Sequence, residues 1–590
     1  MPLTPEAALA PTPQAEPLLT VTGLTTEILT PGGVHRVVDG LSFDVLRGEI
    51  VAMVGESGSG KSLAMQSLLG LLPQPPATVV AGSAVFEGSD LLRMSVEALR
   101  GIRGNRIGMI FQEPMTALNP MMPVGDQIAE TLVTHRGLGW SEARRETVRL
   151  LDQVRIADAP RRARLHPHAL SGGMRQRIVI AAAIACKPGL LVADEPTTAL
   201  DATVQAEILA LLDDLRREVG CSIILITHDM GVVRSVAERV VVMHRGRAVE
   251  RGRVDTIFAN PADAYTRTLI AASLPASAAL RGDDATVACA ATPLLSVRDL
   301  VVSFPHRASL SSFGTAARLF AVDGVSLSLD AGETLALVGE SGSGKTTVAR
   351  AILGLAPVED GQILIAGKDA AVGRKTAGGR VQFVFQDPQS SLDPRFKTWR
   401  SATEPLFIGG IRDRAELRRH AARLFDQVGL SATHLDRFPH ELSGGQRQRL
   451  GIARALSVEP SILIADEAVS ALDATTRLQI LDLFQGLQNR IGLAYLFITH
   501  DFAVVTRIAH RVAVMRFGRI VEIGPTAAVL AEPAHPYTRT LLASASGVKP
   551  AAVVGEAGRR GHRIAPAGAP RDWRPLVKIG PGHFAAAEEM

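Results

Sequence analysis

The sequence predicts an α/β protein that is built from two similar domains in tandem. Three observations lead to this fold class. The eight residues GESGSGKS at 55–62 return almost unchanged as GESGSGKT at 339–346. Each copy follows an apolar, β-branched segment and precedes an amphipathic segment, which is the order strand, turn, helix. Several further segments of the first half return in the second half in the same order.

The repeated segments extend over most of both halves. FQEPMTALNP returns as FQDPQSSLDP, and HALSGGMRQR returns as HELSGGQRQR. LVADEPTTALD returns as LIADEAVSALD, and ITHDM returns as ITHDF. The halves differ in length mainly between the glycine loop and the FQ segment. Segments that return in the same order over most of both halves indicate a duplicated domain.

The ends of the repeat predict the domain boundaries. LLTVTGL opens the first half and LLSVRDL opens the second, and a stretch of small and polar residues separates them. The tail is rich in Gly, Pro, Arg and Ala, and we expect it to be loosely held. The predicted parts are a flexible N-terminus (1–17), a first domain (18–275), a linker (276–293), a second domain (294–547) and a C-terminal tail (548–590).

The composition narrows the class of protein. Lys and Arg together number 63 and Asp and Glu 59, so the net charge of +4 gives no reason to expect nucleic acid as a partner. The three cysteines, Cys186, Cys221 and Cys289, have the spacing of neither a disulfide framework nor a metal site. The N-terminus lacks the pattern of a signal peptide, and no segment is long and apolar enough to span a membrane.

The glycine loops predict that the chain binds the phosphates of a nucleotide twice. Because glycine has no Cβ, backbone N–H groups can close around phosphate oxygens, and the following helix directs its positive end toward the same anion. Lys61 and Lys345 are expected to reach the β- and γ-phosphates. The predicted binding residues of the loops are Gly55, Glu56, Ser57, Gly58, Ser59, Gly60, Lys61 and Ser62, with Gly339, Glu340, Ser341, Gly342, Ser343, Gly344, Lys345, Thr346 and Thr347.

Each loop is paired with acidic residues at the end of an apolar strand. Asp194 ends the strand LLVAD, and Asp466 ends its counterpart ILIAD. An acid in this place is expected to hold Mg²⁺ together with the hydroxyl that follows the loop lysine, which is Ser62 or Thr346. The next residues are Glu195 and Glu467, which we predict to polarise the attacking water.

The segments LSGGMRQR and LSGGQRQR identify the family that the chain resembles. They are similar to the signature of ATP-binding-cassette (ABC) ATPases, and the resemblance covers roughly residues 18–275 and 294–545. It implies two tandem ABC nucleotide-binding domains that bind and hydrolyse ATP with Mg²⁺. Each domain is then expected to have a P-loop (RecA-like) sheet core, an antiparallel β-subdomain and a helical subdomain that carries the signature.

The resemblance implies roles for further residues, position by position. Gln112 and Gln386 match the glutamine that touches Mg²⁺ and water, and they join Glu195, Glu467, His228 and His500 as catalytic residues. His228 and His500 match the switch histidine. The aspartates of the D-loop are Asp201 and Asp473. The residues that match the signature clamp on the γ-phosphate are Ser171, Gly172, Gly173, Ser443, Gly444 and Gly445.

Two halves in one chain can form both ATP sites of such an enzyme. In the family, two domains pair head to tail, so we predict that Lys61 and Glu195 share ATP with Ser443, and that Lys345 and Glu467 share ATP with Ser171. Both motif sets are complete, which predicts hydrolysis at both sites.

The family also stacks adenine on an aromatic residue after the first strand. The second half offers Phe304 or Phe320 for this contact, whereas the first half offers only Ile28 or His35. The first site therefore lacks an obvious aromatic residue for stacking adenine.

The residues within these motifs resemble those of one branch of the family, the peptide/nickel importers of bacteria. FQEPMTALNP with SGGMRQR is similar to one ATPase subunit of that branch, and FQDPQSSLDPR with SGGQRQR is similar to the other. This implies a peripheral protein on the cytoplasmic face of the inner membrane that energises import of a small solute, most often di- or oligopeptides. The implied partners are two permease subunits and, indirectly, a solute-binding protein, with no nucleic acid.

Alternatives to peptide import stay open at this point. Members of the branch often have a cysteine cluster after the cassette, whereas this chain has only Cys289 there, so we expect no iron–sulfur cluster. The motifs alone also allow a soluble twin-cassette ATPase that acts on the ribosome or on DNA, or the ATPase of an exporter. The transported solute is not specified by these residues.

Overall fold

The computed structural model describes residues 16–30, 32–197, 202–273, 292–305, 317–370, 380–545, 562–566 and 575–586. The chain divides into two compact units, Met1–Leu200 with Val204–Ile270 and Asp201–Thr203 with Ala271–Met590. We propose that the two domains keep the predicted ranges 18–275 and 294–547, because the first strands of the units begin at Pro17 and Leu295.

The first unit contains an antiparallel sheet and a mainly parallel sheet. The antiparallel sheet has the order β2-β1-β4-β5, and the parallel sheet has the order β10-β9-β3-β8-β7-β6, in which only the β9–β10 pair is antiparallel. The strands are β1 (Pro17–Thr30), β2 (Gly33–Leu46), β3 (Ile50–Val54), β4 (Ala77–Phe86), β5 (Ser89–Asp90), β6 (Ile107–Ile110), β7 (Leu190–Asp194), β8 (Ser222–Thr227), β9 (Arg239–His244) and β10 (Arg247–Arg253).

The sequence of the central strands explains why they lie inside. β3 reads IVAMV and β8 reads SIILIT, and every residue of both is buried. Continuous apolar runs of this kind are typical of parallel strands that are covered on both faces. This buried sheet fixes where its strand ends and their polar residues lie.

The helices of the first unit cover this sheet and form the predicted helical part. In helix Trp140–Gln153 the buried residues are Ala143, Thr147, Leu150 and Leu151, which share one face of a 3.6-residue repeat. The helices of the unit are Lys61–Leu68, Val96–Ile102, Pro114–Ala117, Val124–Arg136, Trp140–Gln153, Ala159–Arg162, Gly172–Ile184, Ala202–Val219, Met230–Val236, Val254–Ala259 and Ala264–Ser273.

The second unit repeats this architecture. Its strands are β11 (Leu295–Pro305), β12 (Ala317–Leu329), β13 (Thr334–Val338), β14 (Asp360–Ile365), β15 (Lys368–Asp369), β16 (Val381–Val384), β17 (Ile462–Asp466), β18 (Ala494–Thr499), β19 (Arg511–Arg516) and β20 (Arg519–Pro525). Its helices are Lys345–Ile352, Pro388–Ser391, Thr398–Ala402, Glu404–Ile408, Arg414–Gln427, Gly444–Leu456, Ala474–Ile491, Phe502–Ile508, Thr526–Ala531 and Pro536–Ala545.

The prediction of a loosely held C-terminal tail is wrong for the residues that the structure describes. They add strands β21 (Ile564–Pro566), β22 (Leu576–Gly580) and β23 (His583–Ala586) to the two sheets of the second unit. The sheet orders become β15-β14-β11-β12-β21 and β16-β17-β18-β13-β19-β20-β23-β22. This segment is held by backbone pairing with edge strands and by a 2.8 Å hydrogen bond between His583 Nε2 and the buried Glu522. Composition alone does not reveal such contacts.

Within the described ranges no helix is long and apolar enough to cross a membrane. Of the cysteines, Cys186 and Cys221 are buried and free, and Cys289 lies outside the described residues.

Candidate functional site

The first glycine loop connects the end of β3 to helix Lys61–Leu68. Gly55 and Gly60 are required by space and by conformation, with φ of 153° and 99°. A Cβ on Gly55 would lie 2.1 Å from the carbonyl oxygen of Met243, and one on Gly60 would lie 2.6 Å from that of Val37. At these two glycines the loop therefore packs against neighbouring backbone with no room for a side chain.

The second loop has the same construction after β13. A Cβ on Gly339 would lie 2.1 Å from the carbonyl oxygen of Met515, and one on Gly344 would lie 2.3 Å from that of Ala321. The two predicted loops are thus matched in backbone conformation and in the strands against which they pack.

The loop lysines are folded back over their own loops. Lys61 Nζ donates to the carbonyl oxygens of Gly55 at 2.8 Å and Glu56 at 2.7 Å. Lys345 Nζ donates to those of Gly339 at 2.7 Å and Glu340 at 2.8 Å. Both ammonium groups are therefore held within the loop, where they can contact an anion that the loop encloses.

A hydroxyl and a carboxylate meet beside each loop. Ser62 Oγ donates to Asp194 Oδ1 at 2.8 Å, and Thr346 Oγ1 donates to Asp466 Oδ1 at 3.2 Å. Hard oxygen donors of this kind are the ligands that Mg²⁺ prefers, so the donor set fits that ion.

The aspartates of these pairs carry a charge that burial disfavours. Desolvation raises the pKa of Asp194 above its ordinary value, the hydrogen bond from Ser62 lowers it, and the nearby charge of Glu195 raises it. Desolvation likewise raises the pKa of Asp466. A nearby cation would relieve this penalty.

Three predicted catalytic residues of the first unit come together although they are far apart in sequence. Gln112 Nε2 donates to Glu195 Oε2 at 2.9 Å, and His228 Nδ1 lies 3.3 Å from Glu195 Oε1. Glu195 follows β7, Gln112 lies just after β6, and His228 follows β8. The carboxylate is therefore held from both sides.

The second unit forms the same group. Gln386 Nε2 donates to Glu467 Oε2 at 2.6 Å, and His500 Nδ1 lies 3.4 Å from Glu467 Oε1. Burial acts to raise the pKa of Glu467, but the contacts with His500 and Gln386 and the charge of Lys345 outweigh it, so that pKa is lowered. This carboxylate is accordingly ionised at neutral pH.

Both glutamates have a backbone conformation that is uncommon for residues other than glycine. The φ angles are 46° at Glu195 and 47° at Glu467. The Glu195 N–H donates to the carbonyl oxygen of Ile226 at 3.0 Å, and the Glu467 N–H donates to that of Ile498 at 2.9 Å. The neighbouring strand thus holds a turn that directs each carboxylate toward its glutamine and histidine.

The signature residues lie at the start of helices Gly172–Ile184 and Gly444–Leu456. Ser171 Oγ accepts from the Met174 N–H at 3.4 Å, and Ser443 Oγ accepts from the Gln446 N–H at 3.3 Å. Among the described residues of each unit, no hydrogen bond joins this serine to the glycine loop of the same unit. Each helix start is exposed and suits an anion.

The remaining signature and D-loop residues fit around these helices. A Cβ on Gly173 would lie 2.9 Å from Val204 Cγ1, and one on Gly445 would lie 2.4 Å from Thr476 Cγ2, so a side chain at either position would have to displace that neighbour. Asp473 begins helix Ala474–Ile491 by accepting from the Thr476 N–H at 2.9 Å. Asp201 lies outside the described residues.

One pair of loop contacts was missed in the sequence. Tyr265 Oη accepts from the Glu56 N–H at 2.9 Å, and Tyr537 Oη accepts from the Glu340 N–H at 3.0 Å. Both tyrosines belong to the repeated segment YTRTL, so the repeat was the available signal. Each tyrosine positions a loop N–H from a helix about 200 residues away in sequence.

The structure separates the adenine-stacking candidates. Phe320 is only 3% exposed, and the Arg563 guanidinium lies 3.7 Å above its ring, so this ring is already covered. Phe304 is 39% exposed. In the first unit Ile28 and His35 are paired across strands β1 and β2.

Comparison with protein families gives two matches, each found twice. Residues 38–198 and 322–470 match the family described as ABC transporter. Residues 249–289 and 521–568 match the family described as oligopeptide/dipeptide transporter, C-terminal region.

The chain is also similar to curated proteins along nearly its whole length. It is 46% identical over 592 residues to the glutathione import ATP-binding protein GsiA of Pectobacterium atrosepticum, with 93% of each chain covered. It is 46% identical over 557 residues to the protein of that name from Salmonella typhimurium, with 89% of each covered. The Escherichia coli protein is 45% identical over 590 residues, with 93% of each covered.

One solved structure is similar to part of the chain. The dimeric, post-hydrolysis structure of the ATP-binding cassette MJ0796 bound to ADP and Pi is 26% identical, with 40% of this chain and 98% of that chain covered and a TM-score of 0.37.

The desolvated aspartates lead to a prediction about stability. Asp194→Asn is expected to raise the Tm of the nucleotide-free chain, because it removes a charge that burial disfavours and leaves an oxygen to accept from Ser62. Since the pKa is raised in the folded state, the ionised carboxylate destabilises the fold above that pKa, and the effect disappears as the carboxyl is protonated at lower pH. A difference of 1 kcal/mol corresponds to roughly 2–4 °C in a unit of this size.

Calorimetry from acidic to alkaline pH checks this prediction. The gain in Tm should be largest at neutral to alkaline pH and should shrink on acidification, and Asp466→Asn should behave alike. Asp152→Asn, at an exposed carboxylate, is the control. A lower Tm of Asp194→Asn at alkaline pH would contradict the prediction.

Proposed function

Because the chain belongs to the ABC transporter family as an ATP-binding protein with two cassettes, we propose that it hydrolyses ATP to drive import of glutathione or another short peptide into a bacterial cell. The observation that carries the proposal is the presence of two complete Gln–Glu–His groups, one beside each glycine loop. The relatives named for glutathione import support the substrate class.

The glycine loops bind the phosphates of ATP. The first helix of each unit begins at the loop lysine, so its first N–H groups and its positive end face the loop. Lys61 and Lys345 add a positive charge that is already held in place by loop carbonyls. Because these groups are positioned before ATP arrives, little ordering is needed on binding.

The oxygen donors beside the loops hold Mg²⁺. In the first unit they are Ser62 Oγ and the Asp194 carboxylate, with the side-chain oxygen of Gln112 as a further donor. Thr346, Asp466 and Gln386 are the donors in the second unit. Mg²⁺ bound there would neutralise negative charge on the phosphate oxygens of ATP.

The glutamates act on the water that attacks ATP. Glu195 and Glu467 accept a proton from that water as its oxygen bonds to the γ-phosphorus, and the bond from this phosphorus to the β–γ bridging oxygen breaks to release ADP and phosphate. Gln112 and His228 hold the first carboxylate so that it keeps one direction. A carboxylate that is already held in place needs little further ordering to reach the transition state.

The two halves complete each other's sites. Ser171 and Ser443 lie at exposed helix starts and have no hydrogen bond to the glycine loop of their own described unit. We propose that Ser443 binds the γ-phosphate held by Lys61 and that Ser171 binds the one held by Lys345. A covalent connection between the halves gives an effective concentration on the order of millimolar, so one chain is sufficient for both sites.

Transport requires partners that cross the membrane. We propose that the chain lies at the cytoplasmic face of the inner membrane, bound to two permease subunits, and that a solute-binding protein delivers the peptide to them. The C-terminal regions typical of oligopeptide and dipeptide transporters support this assignment. A soluble ATPase acting on the ribosome or on DNA and an exporter ATPase are less well supported, because the three relatives named above, which match 89–93% of the chain, are import proteins.

Affinity purification from gently solubilised membranes tests this function. We expect two permease proteins to co-purify with the chain, and reconstitution of the complex should give ATPase activity that rises with the binding protein loaded with glutathione or a dipeptide. Co-purification of ribosomal proteins or DNA without a membrane protein would overturn the import function.

Removing either catalytic carboxylate tests whether both sites hydrolyse ATP. Glu195→Gln and Glu467→Gln should each lower the rate at their own site by about 10²-fold or more while ATP binding is retained, because Gln keeps the shape but does not accept the proton. Steady-state phosphate release and ATP binding measure the two effects. Glu218→Gln, at an exposed helix position, is the matched control. A single catalytic variant with the full wild-type rate would show that its site does not contribute.

Signature variants test the pairing of the halves. Ser443→Ala should weaken ATP trapping at the Lys61 site by about 10- to 100-fold, the effect of losing a hydrogen bond to a charged group. Ser171→Ala should do the same at the Lys345 site. Photolabelling with an azido-ATP, followed by identification of the labelled peptides, distinguishes the sites. Loss of label from the loop of the same half would contradict head-to-tail pairing.

A further inference from the structure

The C-terminal segment His562–Pro566 lies against the second nucleotide loop. Its strand β21 pairs antiparallel with β12, with Leu319 opposite Ile564 and Ala317 opposite Pro566. The pairing continues to Phe320, whose N–H donates to the carbonyl oxygen of Arg563 at 2.9 Å. The segment is therefore part of the antiparallel sheet that flanks the loop.

Arg563 anchors this segment to a buried acid. Its Nε and Nη2 donate to the two carboxylate oxygens of Asp323 at 3.1 and 3.2 Å, and its guanidinium lies 3.7 Å above the ring of Phe320. Asp323 is 1% exposed and also accepts from Arg519 at 2.8 Å. A bidentate, stacked arginine on a buried carboxylate is a specific attachment.

Among the described residues, the equivalent acid of the first unit is bound by arginines of its own strands. Val37 and Ala321 are equivalent because their carbonyl oxygens approach the last loop glycine in each unit, so Arg36 occupies the position of Phe320. Arg36 Nη1 donates to Asp39 Oδ1 at 3.2 Å, and Arg247 Nε donates to Asp39 Oδ2 at 2.6 Å. The first unit thus has both arginines on its own strands, whereas the second has a phenylalanine and takes one arginine from the tail.

The anchor places His562 on the phosphate loop. His562 Nδ1 lies 3.0 Å from the carbonyl oxygen of Phe320, and Nε2 lies 2.5 Å from that of Gly342. Both partner atoms only accept hydrogen bonds, so each contact forms through a ring nitrogen that carries a proton. Gly342 is the central glycine of the loop, with φ of 79°. The side chain thus connects the flanking sheet to a loop glycine at which an added Cβ would meet no atom within 4 Å.

We propose that His562 is a positioning residue of the second ATP site, which holds the phosphate loop through the Gly342 carbonyl and makes this site bind ATP more tightly than the first. The proposal rests on the proposed role of residues 339–347 in ATP binding. A loop that is held in its binding conformation loses less entropy when ATP binds, so the expected effect is on affinity. His562 does not contact the reacting atoms, and the rate of hydrolysis should be nearly unchanged.

Single-site backgrounds allow the test. In the full chain, Lys61→Ala leaves the second site to be measured and Lys345→Ala leaves the first, with mant-labelled ATP as the probe. His562→Ala should weaken binding about 3- to 10-fold in the Lys61→Ala background and should have no effect in the Lys345→Ala background. In the otherwise wild-type chain, KM for ATP should rise while kcat stays within about twofold.

Variants within the same segment separate positioning from folding. Arg563→Ala should reproduce the loss of affinity because it removes the anchor, and His562→Gln should restore part of it because the amide still donates to a carbonyl. Ile564→Ala, on the same strand and exposed, is the matched control and should bind ATP normally. Equal Tm values of His562→Ala and the control would show that the fold is intact.

The outcomes distinguish this proposal from the proposed function. Unchanged second-site affinity of His562→Ala, or an equal loss at both sites, would overturn the role of His562. ATP binding by the Lys61→Ala, Lys345→Ala double variant at wild-type affinity would instead overturn the role of the glycine loops.

Discussion

The contact between each phosphate loop and the strand beside it is the constraint on which the rest of the site depends. A Cβ added to Gly55 would lie 2.1 Å from the carbonyl oxygen of Met243. A Cβ added to Gly339 would lie at the same distance from the carbonyl oxygen of Met515. The loop can approach its neighbour this closely only without side chains, and the close approach turns the chain directly into the helix that begins at the loop lysine. The anion site is therefore made by backbone before any catalytic side chain is considered.

The parallel sheet then brings the reactive side chains to that loop. β3 lies beside β8, β8 beside β7, and β7 beside β6, so the carboxyl ends of these strands form one edge. Gln112, Glu195 and His228 lie just beyond three of these ends, which explains how residues 83 and 33 positions apart share hydrogen bonds. A ligand site at such an edge is the general result for parallel sheets with covered faces.

The sequence allowed this part of the site to be predicted because its signals are local. The glycine loop, the apolar strand that ends in Asp194 and the histidine after β8 are each short patterns with one structural meaning. Contacts between segments that are distant in sequence were not predictable from such short patterns. The strands of the tail and the Tyr265 contact with the Glu56 N–H depend on where distant segments pack, and composition made the tail resemble a loose end. The covered ring of Phe320 was missed for the same reason.

The two halves of the duplicated chain have similar nucleotide sites, but the buried carboxylate of Asp323 makes the second site differ from the first. A carboxylate as buried as Asp323 requires cationic partners, since a buried charge without them is strongly destabilising. Asp39, whose side chain is 20% exposed, has its cationic partners Arg36 and Arg247 within its own unit. With Phe320 in place of the first of these arginines, the second unit depends on Arg563, and the segment that brings this arginine also brings His562 to the phosphate loop. The presence of Phe320 on β12 therefore couples the stability of the second unit to its nucleotide site. Among the residues that the structure describes, the first unit has no equivalent coupling.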